Sequence, residues 1–114
     1  MLAQSYRLRS STDFNKTYKF GRSTNAASLY VKCLQTRQPI SRVAVVVSKK
    51  VSKRAVVRNR IKRRVVEIVR ENWSQMKPGF NIIISMKQDV SKATQQALTQ
   101  ELMDCLKKAG IASQ

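Results

Sequence analysis

Apolar side chains recur along this chain at two spacings, and the spacing decides the element. Ser11-Thr12-Asp13 has the form of a helix start, a small hydroxyl cap followed by an acid in the first turn. Phe14 and Tyr18 follow four apart on one face, and Gly21 closes the helix where a left-handed residue is usual. A short strand is expected near residues 22–25. Residues 29–34, LYVKCL, alternate, with Leu29, Val31 and Cys33 on one side and Tyr30, Lys32 and Leu34 on the other. Residues 42–48, RVAVVVS, alternate again, and the short polar link between these two strands predicts an antiparallel hairpin. Val57, Ile61, Val65 and Ile68 then recur at four, four and three, with Val69 widening the stripe. They predict a helix from about residue 54 to about residue 72, with Ser52 near its start and Trp73 anchoring its end. Pro78-Gly79 marks a turn, and residues 80–86, FNIIISM, are apolar enough for a central strand. Ser91 is the expected cap of a last helix, whose stripe is Leu98, Leu102, Cys105, Leu106 and Ala109.

The order helix, two or three strands, helix, strand, helix is that of an α+β domain. No repeat, linker or low-complexity tract divides residues 1–114, which are enough for one domain with a real core. A strand–helix–strand unit usually gives parallel strands with a right-handed crossover.

Charge changes this picture. The net charge is +17, and between Asp13 and Glu67 there are fifteen basic residues and no acid. Residues 49–64, KKVSKRAVVRNRIKRR, hold nine Lys or Arg. Such a run repels itself, so a folded chain that keeps it has a polyanion to meet it. The periodicity puts Arg60, Arg63 and Arg64 on a helix face away from the apolar stripe. Arg suits phosphate because its flat fork donates two hydrogen bonds at once. Asn59, between Arg58 and Arg60, can both donate and accept at RNA sugars or bases. A solvated charged face is the bland alternative, but such a face normally carries interspersed acids, and this one has none. Phe14 and Tyr18 admit two readings: core packing, or a stacking surface for unpaired bases among Lys16, Lys19 and Arg22.

The same composition argues against catalysis by the chain itself. It has no histidine, the commonest general base and zinc ligand. The six acids are scattered, which argues against a carboxylate cluster for a catalytic metal. Cys33 and Cys105 lie in apolar patterns and read as reduced core residues of a cytoplasmic protein. Neither a signal peptide nor a transmembrane span is expected, and the basic helix needs its apolar face for the core, which argues against a membrane surface.

The run SKKVSKRAVVRNRIKRR, residues 48–64, resembles the signature of the protein subunit of bacterial ribonuclease P, centred on Arg58-Asn59-Arg60-Ile61-Lys62-Arg63. RLRSSTDFNKTYKFGRS, residues 7–23, is similar to that family's N-terminal segment, and the PGFNIII strand and final helix fall where the family has them. The resemblance implies a two-layer α/β sandwich of order α-β-β-(β)-α-β-α with a left-handed β-α-β crossover. It implies a protein that binds a catalytic RNA subunit and the 5′ leader of precursor tRNA, while that RNA holds Mg2+ and cleaves the leader. The chain would then be the protein subunit of an endoribonuclease, with no catalytic residue and no small-molecule substrate of its own. Lys49, Lys50, Lys53, Arg54, Arg58, Asn59, Arg60, Lys62, Arg63 and Arg64 are the expected contacts to the RNA subunit. Phe14, Lys16, Tyr18, Tyr30 and Lys32 are expected to line the leader cleft. Two positions depart from the family pattern. Lys32 stands where an aromatic is common, so either Tyr30 or Lys32 itself takes that place, and Met86 replaces a frequent basic residue. The competing reading is a structural, ribosomal-type RNA-binding protein with no part in cleavage. A self-sufficient nuclease lacks its histidine and carboxylates here, and a helix-turn-helix DNA binder lacks its pair of short helices.

Overall fold

The computed structural model describes residues 3–113. Helix α1 (Ser11–Phe20) leads into strands β1 (Arg22–Asn25), β2 (Leu29–Gln35) and β3 (Arg42–Val46), followed by α2 (Ala55–Glu71), β4 (Phe80–Met86) and α3 (Gln95–Lys108). This is the α+β order that the apolar pattern predicts, the short β1 included. The sheet runs β1-β2-β4-β3. Strand β4 is antiparallel to β2 and parallel to β3, so α2 is the crossover between two parallel neighbours.

The expected hairpin of β2 with β3 does not form, because β4 lies between them. Its Ile82, Ile83 and Ile84 are all fully buried, and a strand apolar on both faces belongs in the middle of a sheet. With strands about 4.8 Å apart, β2 and β3 are about 10 Å apart, a gap that residues 36–41 span easily. The start of β4 is tied to that link. The Ser41 hydroxyl donates to the Lys77 carbonyl at 2.6 Å and accepts from the Phe80 N–H at 3.0 Å. The Thr36 N–H donates to the Gly79 carbonyl at 2.7 Å, and Gly79 turns the chain there at a φ of 87° that suits glycine.

One face of the sheet carries the core. Leu29, Val31 and Cys33 of β2, Val43 and Val45 of β3, and Ile82 and Ile84 of β4 pack under Ile61, Val65 and Ile68 of α2 and Leu98, Leu102 and Leu106 of α3. Each such side chain contributes about 1.5–3 kcal/mol on full burial. Strand alternation turns Tyr30, Lys32, Ala44, Val46, Ile83 and Ser85 to the opposite face. There α1 covers the middle: Thr17 of α1 and Ile83 of β4 are both fully buried.

The helix ends differ in detail from the sequence expectation. Ser10, one residue before the expected cap, accepts from the Asp13 N–H at 3.4 Å. Gly21 is extended, at φ −76° and ψ 158°, and not left-handed. It is glycine because of space: a Cβ there would lie 2.4 Å from the Thr17 carbonyl oxygen and 2.8 Å from that of Cys33. Arg54 occupies the cap position of α2, and Ser52 instead accepts from the Arg54 N–H at 3.2 Å. Thr94, and not Ser91, caps α3, accepting from the Ala97 N–H at 3.0 Å. Ser91 closes a turn on Asp89, whose carboxylate it holds below its ordinary pKa by hydrogen bonding. Cys33 and Cys105 are free and buried in the core, and burial raises both thiol pKa values, with Arg22 partly opposing the shift at Cys33.

Residues before α1 protect the outer edge of β3. The Leu8 N–H donates to the Val43 carbonyl at 3.0 Å, and Arg7 pairs with Val43 in parallel. The Tyr6 ring packs on Trp73 just beyond α2, with centroids 4.7 Å apart.

Candidate nucleic-acid interface

With α1 on one face of the sheet and α2 on the other, a groove of about 1070 Å³ opens along β3. Leu8 and residues 43–47 form its floor. Arg58, Asn59, Lys62, Arg63 and Val66 of α2 form one wall, and Phe14 of α1 stands on the other side. Arg7 and Arg9 add charge, so five cationic side chains line the groove against one acid, Glu67. Arg70 ion-pairs with that acid and holds its pKa down to about 2, so Glu67 stays ionised and its charge is locally matched. An apolar floor with cationic walls suits a strand whose bases turn inward and whose phosphates turn out.

The ten basic-run positions separate into groups that the sequence pattern does not distinguish. Arg58, Asn59, Lys62 and Arg63 line the groove. Arg58 also shapes the preceding turn, its Nη1 donating to the carbonyls of Ser52 and Lys53 at 2.9 Å each. Lys49, Lys50, Lys53 and Arg54 are exposed in the segment leading into α2, and Arg60 is exposed on the helix away from the groove. The first turn of α2 carries no acid and no side-chain cap, so the helix dipole adds to the positive potential of that segment. Arg64 does something else. Its Nη2 donates to the Ala93 carbonyl at 2.6 Å, its Nη1 to the Val90 carbonyl at 3.0 Å and its Nε to Gln95 Oε1 at 2.8 Å. The Gln95 amide donates back to the Arg64 carbonyl at 3.1 Å. These bonds turn the guanidinium toward the start of α3.

The five expected cleft residues also separate. Phe14 and Tyr18 lie together, with ring centroids 6.3 Å apart, and Tyr18 is 39% exposed. Lys32 and Tyr30 are half-buried on the strand beneath α1 and do not line the groove. Lys32 Nζ donates to the Tyr18 carbonyl at 3.1 Å, so it braces the end of α1. Lys16 is two residues from both Phe14 and Tyr18, about 200° around the helix, on the opposite flank.

The family model for ribonuclease P matches residues 2–110. The chain belongs to the ribonuclease P protein family. The ribonuclease P protein component of Pseudanabaena sp. is 39% identical over 112 residues, covering 97% of each chain. The RNase P protein of Staphylococcus aureus superposes with a TM-score of 0.84 at 28% identity, over 95% of this chain and 98% of that one. The RNase P protein from Thermotoga maritima gives 0.81 at 29% identity, over 90% and 96%. The ribonuclease P fold therefore accounts for nearly the whole chain.

This ribonuclease P chain also brings to the groove residues that sequence reasoning did not assign there. Arg7 and Arg9 register as charge in the sequence, but only the pairing of Arg7 and Leu8 beside Val43 puts them at the groove. Val56, half exposed on α2, and Val66 face it too. A helical position that breaks the apolar stripe yet remains Val was the available signal for Val56. No helix of the described residues is long and apolar enough to cross a membrane.

Proposed function

We propose that this chain is the protein partner of a ribonuclease P ribonucleoprotein and that its groove takes the 5′ leader of precursor tRNA. The carrying observation is the groove itself, which faces the aromatic flank of α1 with the Arg58, Asn59, Lys62 and Arg63 wall of α2. Phe14 and Tyr18 offer π-faces to unpaired bases, and the α2 wall offers guanidinium and ammonium groups to phosphates. The exposed residues Lys49, Lys50, Lys53, Arg54 and Arg60 contact the catalytic RNA subunit beside the groove. Arg64 holds the fold and Lys32 the end of α1, so neither is counted among the RNA contacts.

Cleavage is assigned to the RNA. The described residues bring no three His, Cys, Asp or Glu side chains together, and hard cations such as Mg2+ require oxygen-rich ligand sets. The described residues thus form no all-protein cage for such an ion. The chain's part is to bind, orient and screen charge.

Phe14→Ala tests the groove. A stacked base contributes about 1–3 kcal/mol, so precursor tRNA affinity of the assembled enzyme should fall by that order while mature tRNA affinity is unchanged. Equal losses for both ligands together with a large fall in Tm would return Phe14 to a packing role. A ribosomal-type role predicts no precursor preference in either protein.

A further inference from the structure

Phe20 is the most exposed large apolar side chain of the described residues, at 65%. It lies outside the groove. Successive α-helical residues turn about 100°, so Phe20 leaves α1 on the flank away from Phe14 and Tyr18. Lys19 lies on the solvent crest between the two flanks, its Nζ 5.4 Å from the Phe20 ring centroid. Tyr18, Lys19 and Phe20 thus make an aromatic, a cation and a second aromatic in order across the last turn of the helix.

That turn is held rigidly. Thr17 is fully buried beneath it, and its hydroxyl donates to the Asp13 carbonyl at 2.7 Å. Gly21 lets the chain pass against the carbonyls of Thr17 and Cys33 with no room for a Cβ. Lys32 bonds the Tyr18 carbonyl from the strand below. A helix C-terminus repels phosphate, but Lys19 in the last turn opposes that field, whereas Arg22, two residues beyond α1, donates its Nη2 to the Ala109 carbonyl at 3.1 Å on the other face of the sheet. Asp13 is the only acid on α1, against Lys16 and Lys19.

Resting on the leader reading of the groove, we propose that the upstream part of a long leader leaves the groove over α1. Its backbone passes Lys19 and one base stacks on Phe20. The surface is cationic and carries an isolated, preorganised aromatic ring, which fits single-stranded RNA. The contact would make leader length, beyond what the groove holds, a determinant of substrate affinity.

The experiment measures affinity of the assembled holoenzyme for precursor tRNAs whose leaders lengthen one nucleotide at a time, with Phe20→Ala, Phe20→Trp and Phe14→Ala beside the parent. Phe20→Ala should match the parent on short leaders and, beyond a threshold length, lose about fivefold or more, the lower end of one base stack. Phe20→Trp should restore the long-leader affinity. A Phe20→Ala loss that is independent of leader length, or no loss at any length, overturns the proposal. So does weaker binding of the RNA subunit alone, which would make Phe20 a contact to that RNA, or a changed oligomeric state, which would make it a contact between copies. Phe14→Ala reports separately on the groove. Leader-specific loss there with a silent Phe20→Ala rejects only the surface over α1; no leader-specific loss with Phe14→Ala rejects the groove reading.

Discussion

Replacing Arg64 by Ala is expected to weaken the fold and spare RNA binding, whereas replacing its neighbour Arg63 should do the reverse. The two side chains leave α2 about 100° apart. Arg64 bridges three acceptors on the segment entering α3, at 2.6, 2.8 and 3.0 Å. A hydrogen bond from a charged group contributes about 1.5–3 kcal/mol when shielded. These are partly exposed, so the three together come to about 2–4 kcal/mol. Val90, buried against the core, sits on the same segment and would loosen with it. For a domain of this size 1 kcal/mol moves Tm by roughly 4 °C, which gives a fall of about 8–16 °C. The assay is thermal and urea unfolding by circular dichroism, with precursor tRNA affinity of the assembled enzyme measured where the variant is still folded. Arg64→Lys keeps the charge, but one ammonium cannot reach all the acceptors, so it should recover less than half of the loss. Arg63→Ala should stay within about 0.5 kcal/mol of the parent in stability and flatten the salt dependence of RNA binding by about one unit of slope. An Arg64→Ala protein with parental Tm and the RNA defect of Arg63→Ala would refute the reasoning.

Gly21→Ala should destabilise by about 1–3 kcal/mol or more, because the new methyl meets two backbone carbonyls that cannot swing aside; unfolding by denaturant checks it, and a neutral result would mean that α1 shifts freely on the sheet. Burial raises the pKa of both cysteines, so at pH 8 the thiols stay protonated and enclosed; neither should react with a disulfide reagent in the native protein, and both should react after unfolding, as counted by absorbance.

Much of the fold is legible in the sequence because period and burial coincide. The stripe through Val57, Ile61, Val65 and Ile68 is the buried or half-buried side of α2, and the alternation in residues 29–34 is the buried–half-buried pattern of β2. Strand order is less legible. Proximity in the chain favours β2 next to β3, but the greater apolarity of β4 wins the central place, and nothing local in residues 36–41 reports the strand that passes between. Cap positions slipped by one residue at α1 and three at α3 because Ser and Thr are frequent there, and any of them can accept from an N–H. Gly21 was legible as a stop and illegible as a contact, since steric need and left-handed need select the same residue.

The site shows a sharper limit. A run of Arg and Lys declares a positive surface, but an Arg is satisfied equally by phosphates and by backbone carbonyls. Sequence periodicity sorts Arg63 and Arg64 onto one polar side of α2. The tertiary structure separates them, because β3 and α1 border one flank and the start of α3 borders the other. Lys32 is the same case on a strand, a cation among candidate RNA contacts that meets a helix carbonyl. Whether a basic residue serves the fold or the ligand is thus decided by which acceptors lie within a side chain's length of it. For Lys32 and Arg64 those acceptors come from residues 14 to 31 positions away, a separation that no helical or strand period spans.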